Sequence, residues 1–260
     1  MALKIVVCIK QVPDTNQVRI DPRTGTLKRE GVPSIINPED KHALEEALCL
    51  KDIHGGEVVV LTMGPLQALS ALRLAIAMGA DRAILLSDRA FAGSDTMATS
   101  LTLAAAIKRL GKYSLVFAGR QAIDGDTAQV GPQLAEHLNI PQLTYAGEVE
   151  IEKNEITVKR LLEEGYEIAS SPLPVLVTAV KELNHPRYPT GAGVFKSFRE
   201  NRIETWGLAE LGLDKDSLGL SGSPTQVHAT FVPHNERTSE VHPHGEEAVR
   251  TLANKIIALI

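Results

Sequence analysis

Residues 57–86 read EVVVLTMGPLQALSALRLAIAMGADRAILL. Two apolar, β-branched runs, Glu57 to Thr62 and Arg82 to Leu86, flank a helical pattern from Pro65 to Met78. In that pattern Leu66, Leu69, Leu72, Leu74, Ile76 and Met78 keep an apolar stripe. Pro65 suits a first helical turn and Gly79 a C-terminal stop. Both strands are too uniformly apolar to be half exposed, so the unit reads as parallel βαβ, covered by helices on both faces. The alternation extends outward to strands Ile5 to Lys10 and Leu115 to Gly119, and to helices Pro38 to Lys51, Ser94 to Leu110 and Thr127 to Leu138. The expected fold class is α/β, a doubly wound, mostly parallel sheet.

Other segments depart from this rhythm. Val18 to Ile20 and Thr26 to Lys28 flank a Pro/Gly turn and predict a small antiparallel hairpin. Glu148 to Ile151 and Ile156 to Leu161, around Lys153 and Asn154, predict a second hairpin open to water on one side. Val175 to Ala179 is a buried strand suited to rejoin the main sheet, followed by a Gly/Pro-rich loop at 185–193 and a basic amphipathic turn, Lys196 to Arg202. Residues 1–206 are expected to form the main domain and 207–260 a C-terminal extension. Its end, Gly245 to Ile260, is a helix with Val249, Leu252, Ile256, Ile257 and Ile260 on one side, suited to docking on a partner.

The 260 residues carry a formal charge of −5 and are 43% hydrophobic, which excludes wholesale disorder and gives no basic face for nucleic acid. Ten aromatic residues leave Ala, Leu, Ile and Val to fill the core. No apolar run approaches the roughly 20 residues of a membrane span. The N-terminal run has Lys4 inside a strand rather than a signal-peptide pattern, and the expected location is cytoplasmic. Cys8 and Cys49 have no paired ligand spacing and read as buried thiols. The tail histidines His228, His234, His242 and His244 form no Cys/His quartet, so no metal site is expected. No Ser-His-Asp nucleophile elbow can be placed, and no catalytic residue is assigned.

No GxGxxG or GxxxxGK[ST] motif follows the first strand. In an open parallel sheet the ligand still belongs at the carboxyl ends of the strands. The segments there are Thr62 to Pro65, Ser87 to Thr96, Gly119 to Thr127 and, opening the first helix, Asn37 to Asp40. Gly93, Ser94 and Thr96 place hydroxyls and N–H groups at a helix N-terminus, which predicts a phosphate site with Arg89 nearby. Asp95 has no place beside a phosphate; capping loop amides or holding a sugar hydroxyl are the roles open to it. An isolated GSDT would read plainly as Ser94 serving as N-cap. The similar Asp126 and Thr127 on a neighbouring strand weigh toward the nucleotide.

Five pieces, KIVVCIKQVPDT (4–15), INPED (36–40), LTMGP (61–65), LAIAMGADRA (74–83) and above all GRQAIDGDTAQVGPQLAEHL (119–138), resemble the beta subunits of electron-transferring flavoproteins over about 2–201. The resemblance implies an adenine nucleotide hydrolase-like α/β fold that pairs with a homologous alpha subunit holding its own FAD. It implies a nucleotide site of Cys8, Asn37, Asp40, Met63, Gly119, Arg120, Gln121, Ala122, Ile123, Asp124, Gly125, Asp126, Thr127, Gln129 and Val130. The stretch DRAFAGSDTMAT (88–99) resembles the electron-bifurcating members, which adds Gly93, Ser94, Asp95, Thr96 and Thr99 around a second FAD. The likeness further implies hydride from NADH, with electrons divided between ferredoxin or flavodoxin and the alpha-subunit FAD; AMP as a structural ligand is the alternative. A partner flavin dehydrogenase, of acyl-CoA or lactate type, would dock on HPRYPT (185–190) and beyond, at Arg187, Tyr188, Gly191, Val194 and Phe195. Gly191 stands where members serving acyl-CoA dehydrogenases carry a bulky apolar anchor, leaving Val194 or Phe195 to replace it. A stable monomer would point instead to a free-standing nucleotide-binding protein.

Overall fold

A computed structural model describes residues 2–14, 33–226, 228, 241–242 and 244–258, with the backbone also at 19–20 and 27–28. Its parallel strands are β1 (Leu3–Cys8), β6 (Gly56–Met63), β7 (Arg82–Leu86), β8 (Leu115–Gly119), β12 (Val175–Ala179) and β13 (Ile203–Trp206). An antiparallel extension comprises β9 (Gln142–Glu152), β10 (Glu155–Leu162) and β11 (Gly165–Pro172). Among the described residues these make one sheet of order β11-β10-β9-β12-β8-β1-β6-β7-β13, in which β9 also pairs parallel with β12. Two short antiparallel pairs stand apart: β2 (Gln11–Pro13) with β5 (Ser34–Ile36), and β3 (Arg19–Ile20) with β4 (Leu27–Lys28). The second is the hairpin expected early in the chain; its turn lies outside the described residues.

Successive strand residues point to opposite faces, so each strand feeds two cores. Ile5 and Val7 of β1 join α1 (Pro38–His54) and α2 (Leu69–Met78) on one face. Val6 and Cys8 join α3 (Thr96–Leu110), α4 (Val130–Leu138) and Trp206 on the other. β8 is buried along its whole length, as a strand covered on both sides must be.

Several boundaries differ from the sequence reading, each for a local reason. α3 starts at Thr96 rather than Ser94 because Asp95 is the N-cap, its carboxylate accepting from the N–H groups of Met97 (3.0 Å) and Ala98 (3.1 Å). α4 starts at Val130 rather than Thr127 because Asp126 (φ 55°) and Ala128 (φ 52°) are left-handed, which ends any helical path through them. The expected glycine loop holds the first turn of α5 (Gly191–Arg199). Thr190 caps it, Oγ1 accepting from Gly193 N at 2.9 Å, and Gly193 lies so close to the Ala77 carbonyl that any Cβ would collide. β11 and β13 carry no alternating pattern of their own and are strands because neighbours supply their hydrogen bonds. Beyond β13, α6 (Leu208–Leu211) and buried Leu218 pack against the α3 core, whereas α7 (Glu246–Ile257) exposes Val249, Leu252, Ile256 and Ile257.

Candidate functional site

β1 continues through α1 to β6 on one side, while β8 lies against β1 on the other. That reversal puts a crevice at the carboxyl ends of β1 and β8, where an open parallel sheet takes its ligand. The segment Asn37 to Asp40, entering α1, stitches the two strand ends together. Asp40 is buried, its Oδ2 accepting from Lys10 N (2.7 Å) and its Oδ1 from Gly119 N (2.9 Å). Asn37 donates from Nδ2 to the Gln121 carbonyl (2.8 Å) and accepts at Oδ1 from Ile123 N (3.0 Å). Glu39 accepts from Gln121 N (2.9 Å) and pairs with Arg120 Nη2 (3.0 Å). The sequence-predicted Asn37 and Asp40 are therefore at the crevice, with their polar atoms spent on the loop that forms its wall. Gly119 is obligatory there because a Cβ would strike Asp40.

Burial pushes the Asp40 carboxyl up to about 7, outweighing the N–H groups aimed at it. Burial, and then the Asp40 charge, push the Cys8 thiol up to about 12, so Cys8 stays a neutral thiol within the core at the end of β1. Met63 borders a cavity of about 300 Å³ with Lys10, Gln11, Pro13, Gly64 and Gln67.

The wall loop runs Gly119 to Gln129. Lys10 Nζ pairs with Asp124 at 2.7 Å, and the N–H groups of Gly125 and Asp126 both close onto the Ala122 carbonyl. After left-handed Asp126 and Ala128 the chain enters α4 with no side-chain cap at Gln129; ahead of Pro132, which has no N–H, the amides of Val130 and Gly131 carry the positive end of the helix. Arg120 lies 5.7 Å from the centre of the Tyr145 ring, and its Nε, like Thr62 Oγ1 at the end of β6, is buried without a hydrogen-bond partner among the described residues. Tyr145 (φ 61°) sits at the irregular pairing of β9 with β12. The sequence reading places Thr62 in the segment that ends β6, whereas nothing in the sequence singles out Tyr145, which does not break the strand pattern.

The second expected cluster is arranged differently from its sequence reading. Ser94 Oγ donates to the Phe91 carbonyl (2.8 Å), so Ser94 is not the N-cap. The α3 amides expected to be open to phosphate are taken by Asp95, whose role is amide capping. Thr96 Oγ1 donates to Gln129 Oε1 (2.9 Å), tying α3 to the entry of α4. Gly93 (φ 76°) faces Leu220, and Thr99 donates from its N–H to the Asp95 carbonyl.

The predicted docking residues form a separate surface. Arg187 is turned inward: its backbone N and Nε donate to the buried Glu45 carboxylate and its Nη2 to Asp52 (2.9 Å). Although burial works against the charge, these bonds hold the guanidinium well above its usual range. Asn184 adds bonds to the His42 carbonyl and Glu46. Outward lie Tyr188 (88% exposed), Val194, Phe195 (58%) and Phe198 (66%). Phe198, absent from the sequence reading although one turn from Phe195, carries Arg73 over its ring at 4.6 Å. Gly191 leaves open space around its Cα. No group of three or more metal-ligating residues occurs among the described residues.

Comparison with known proteins gives a consistent result. The family model described as "Electron transfer flavoprotein domain" matches residues 24–205. An electron transfer flavoprotein subunit beta of Thermoanaerobacterium thermosaccharolyticum is 56% identical over 98% of this chain and 98% of its own. One from Clostridium acetobutylicum is 57% identical over 94% and 91%. Subunit CarD of a caffeyl-CoA reductase-Etf complex in Acetobacterium woodii is 56% identical over 89% and 88%.

Proposed function

Because the chain belongs to the electron transfer flavoprotein family, among whose beta subunits its relatives fall, we propose that its crevice holds FAD in a heterodimer with an alpha subunit that carries another. Bound there, FAD would supply hydride acceptance from NADH and the release of electrons one at a time, to ferredoxin or flavodoxin and to the alpha-subunit FAD. The observation that carries the reading is the entry of α4: an uncapped helix N-terminus preceded by two left-handed residues at the β1/β8 switch point. Buried Arg120 Nε and Thr62 Oγ1, which have no partner among the described residues, fit a polar ligand at the same strand ends.

The chain's own residues position and exclude rather than react. Asp40, Asn37 and Glu39 hold the wall loop on the end of β1, Met63 presents apolar surface, and the Val130 and Gly131 amides at the α4 entry favour phosphate. Tyr188, Val194, Phe195 and Phe198 give a partner flavin dehydrogenase, of acyl-CoA or lactate type, an apolar surface on a fixed loop. No helix among the described residues is long and apolar enough to cross a membrane, and a cytoplasmic location is part of the proposal.

A second reading, AMP in the crevice, is favoured by the inward hydrogen bond of Ser94 and by the closure of the α3 amides by Asp95, which leave fewer donors for a second phosphate. Acid release and chromatography of nucleotides from the co-expressed alpha-beta pair decides between them. Two FAD and no AMP per heterodimer is the expected result, and one FAD with one AMP overturns it.

A further inference from the structure

The tail beyond β13 returns to the entry of α3. Leu220 N donates to the Ala92 carbonyl (3.0 Å), and Gly219 (φ 57°) lies against the Ala90 and Ala92 carbonyls where a Cβ would collide. Buried Ser223 accepts from Asp95 N at 2.8 Å and donates onward to the Gly219 carbonyl at 2.6 Å. Thr225 donates to Asp95 Oδ2 from both its N–H (3.0 Å) and its hydroxyl (2.7 Å). With Met97 N and Ala98 N on Oδ1, Asp95 has about four acceptor sites and four donors. It is a junction with no acceptor capacity left for a ligand.

We propose that Ser223 and Thr225 are positioning residues of the nucleotide crevice, holding the α3 entry, through Asp95, at the place where Thr96 fixes Gln129. Asp95 is adjacent to Thr96, whose hydroxyl bonds Gln129, the residue that opens α4. Removing the tail's grip frees the Ala92 to Asp95 segment and with it one support of the phosphate-facing loop, beside Asn37 to Asp40 and the Lys10–Asp124 pair. Thr225 is exposed and Ser223 is in contact with main-chain groups, so neither is needed for the sheet's cores. The role rests on the reading of the crevice as a nucleotide site.

The test uses the alpha-beta pair carrying Thr225→Val, Ser223→Ala, both together, or Thr225→Ser, which keeps the hydroxyl. The nucleotide released from each is identified, and its rate of loss on dilution is followed by fluorescence for FAD or by chromatography for AMP. The double variant loses nucleotide about tenfold faster, from the loss of bonds to a charged acceptor and its neighbour. Thr225→Val alone shows part of the effect, and Thr225→Ser matches the parent. Equal loss rates in the parent, the single valine variant and the double variant overturn the inference. If the parent holds AMP rather than FAD, the FAD reading fails, and the same comparison of AMP loss still decides the role of the tail.

Discussion

Replacing Asp40 with Asn tests the strand-end junction through its pH dependence. The carboxylate accepts two backbone N–H groups, from Lys10 and Gly119, in a buried position. An amide can accept only at its oxygen, so one N–H of the pair faces an NH₂ group, at a cost of about 1–3 kcal/mol. The wild-type acid has its own burden: its folded-state pKa of about 7 is above the ordinary aspartate value of 3.8. The folded protein then holds a proton that the unfolded chain has lost, so stability is greatest below the unfolded pKa and falls as pH rises through the folded one. With those two values the loss between pH 5 and pH 8 is about 2–3 kcal/mol. Asn does not titrate, so its disadvantage relative to Asp is largest near pH 5 and shrinks toward pH 8. In thermal unfolding of the alpha-beta pair the gap in Tm is expected to be wider near pH 5 by roughly 5–10 °C. A gap that stays constant, or widens with rising pH, refutes the claim that Asp40 is buried against its charged form.

Two further outcomes are expected on the proposed docking surface. Arg187→Ala strands the Glu45 carboxylate, whose side chain is only 6% exposed; with the arginine itself a third exposed, the expected loss is about 2 kcal/mol, read as a lower Tm and partly reversed by adding Glu45→Gln. An unchanged Tm would show that the inward pair does not hold the loop. Phe195→Ala and Phe198→Ala, on exposed rings, change stability by less than about 0.5 kcal/mol and leave nucleotide content intact. If the proposed flavin dehydrogenase docks there, each raises its KM about tenfold in coupled electron transfer, and an unaltered KM would remove that ring from the contact.

Much of this architecture is determined by the sequence alone. β7, β8 and β12 begin and end where their apolar runs do, because a strand buried on both faces must be apolar throughout and its limits are then local. The crevice is legible in the same pattern, since alternating strands and helices fix where strand ends meet loops. The family likeness is legible for a related reason: stretches such as 119–138, a loop and the helix it enters, carry side chains whose partners are elsewhere in the chain. Which partners those are, only the tertiary structure decided. Asp40 reaches residues 30 and 79 positions away, Arg187 reaches Glu45 across 142, and Asp95 meets Thr225 across 130. A carboxylate at a helix entry has the same local sequence whether it holds a sugar, caps amides or ties down a distant tail. Hydrogen bonds of that range leave no period in the chain, and neither do β11 and β13, whose strand character comes from the edges they pair with.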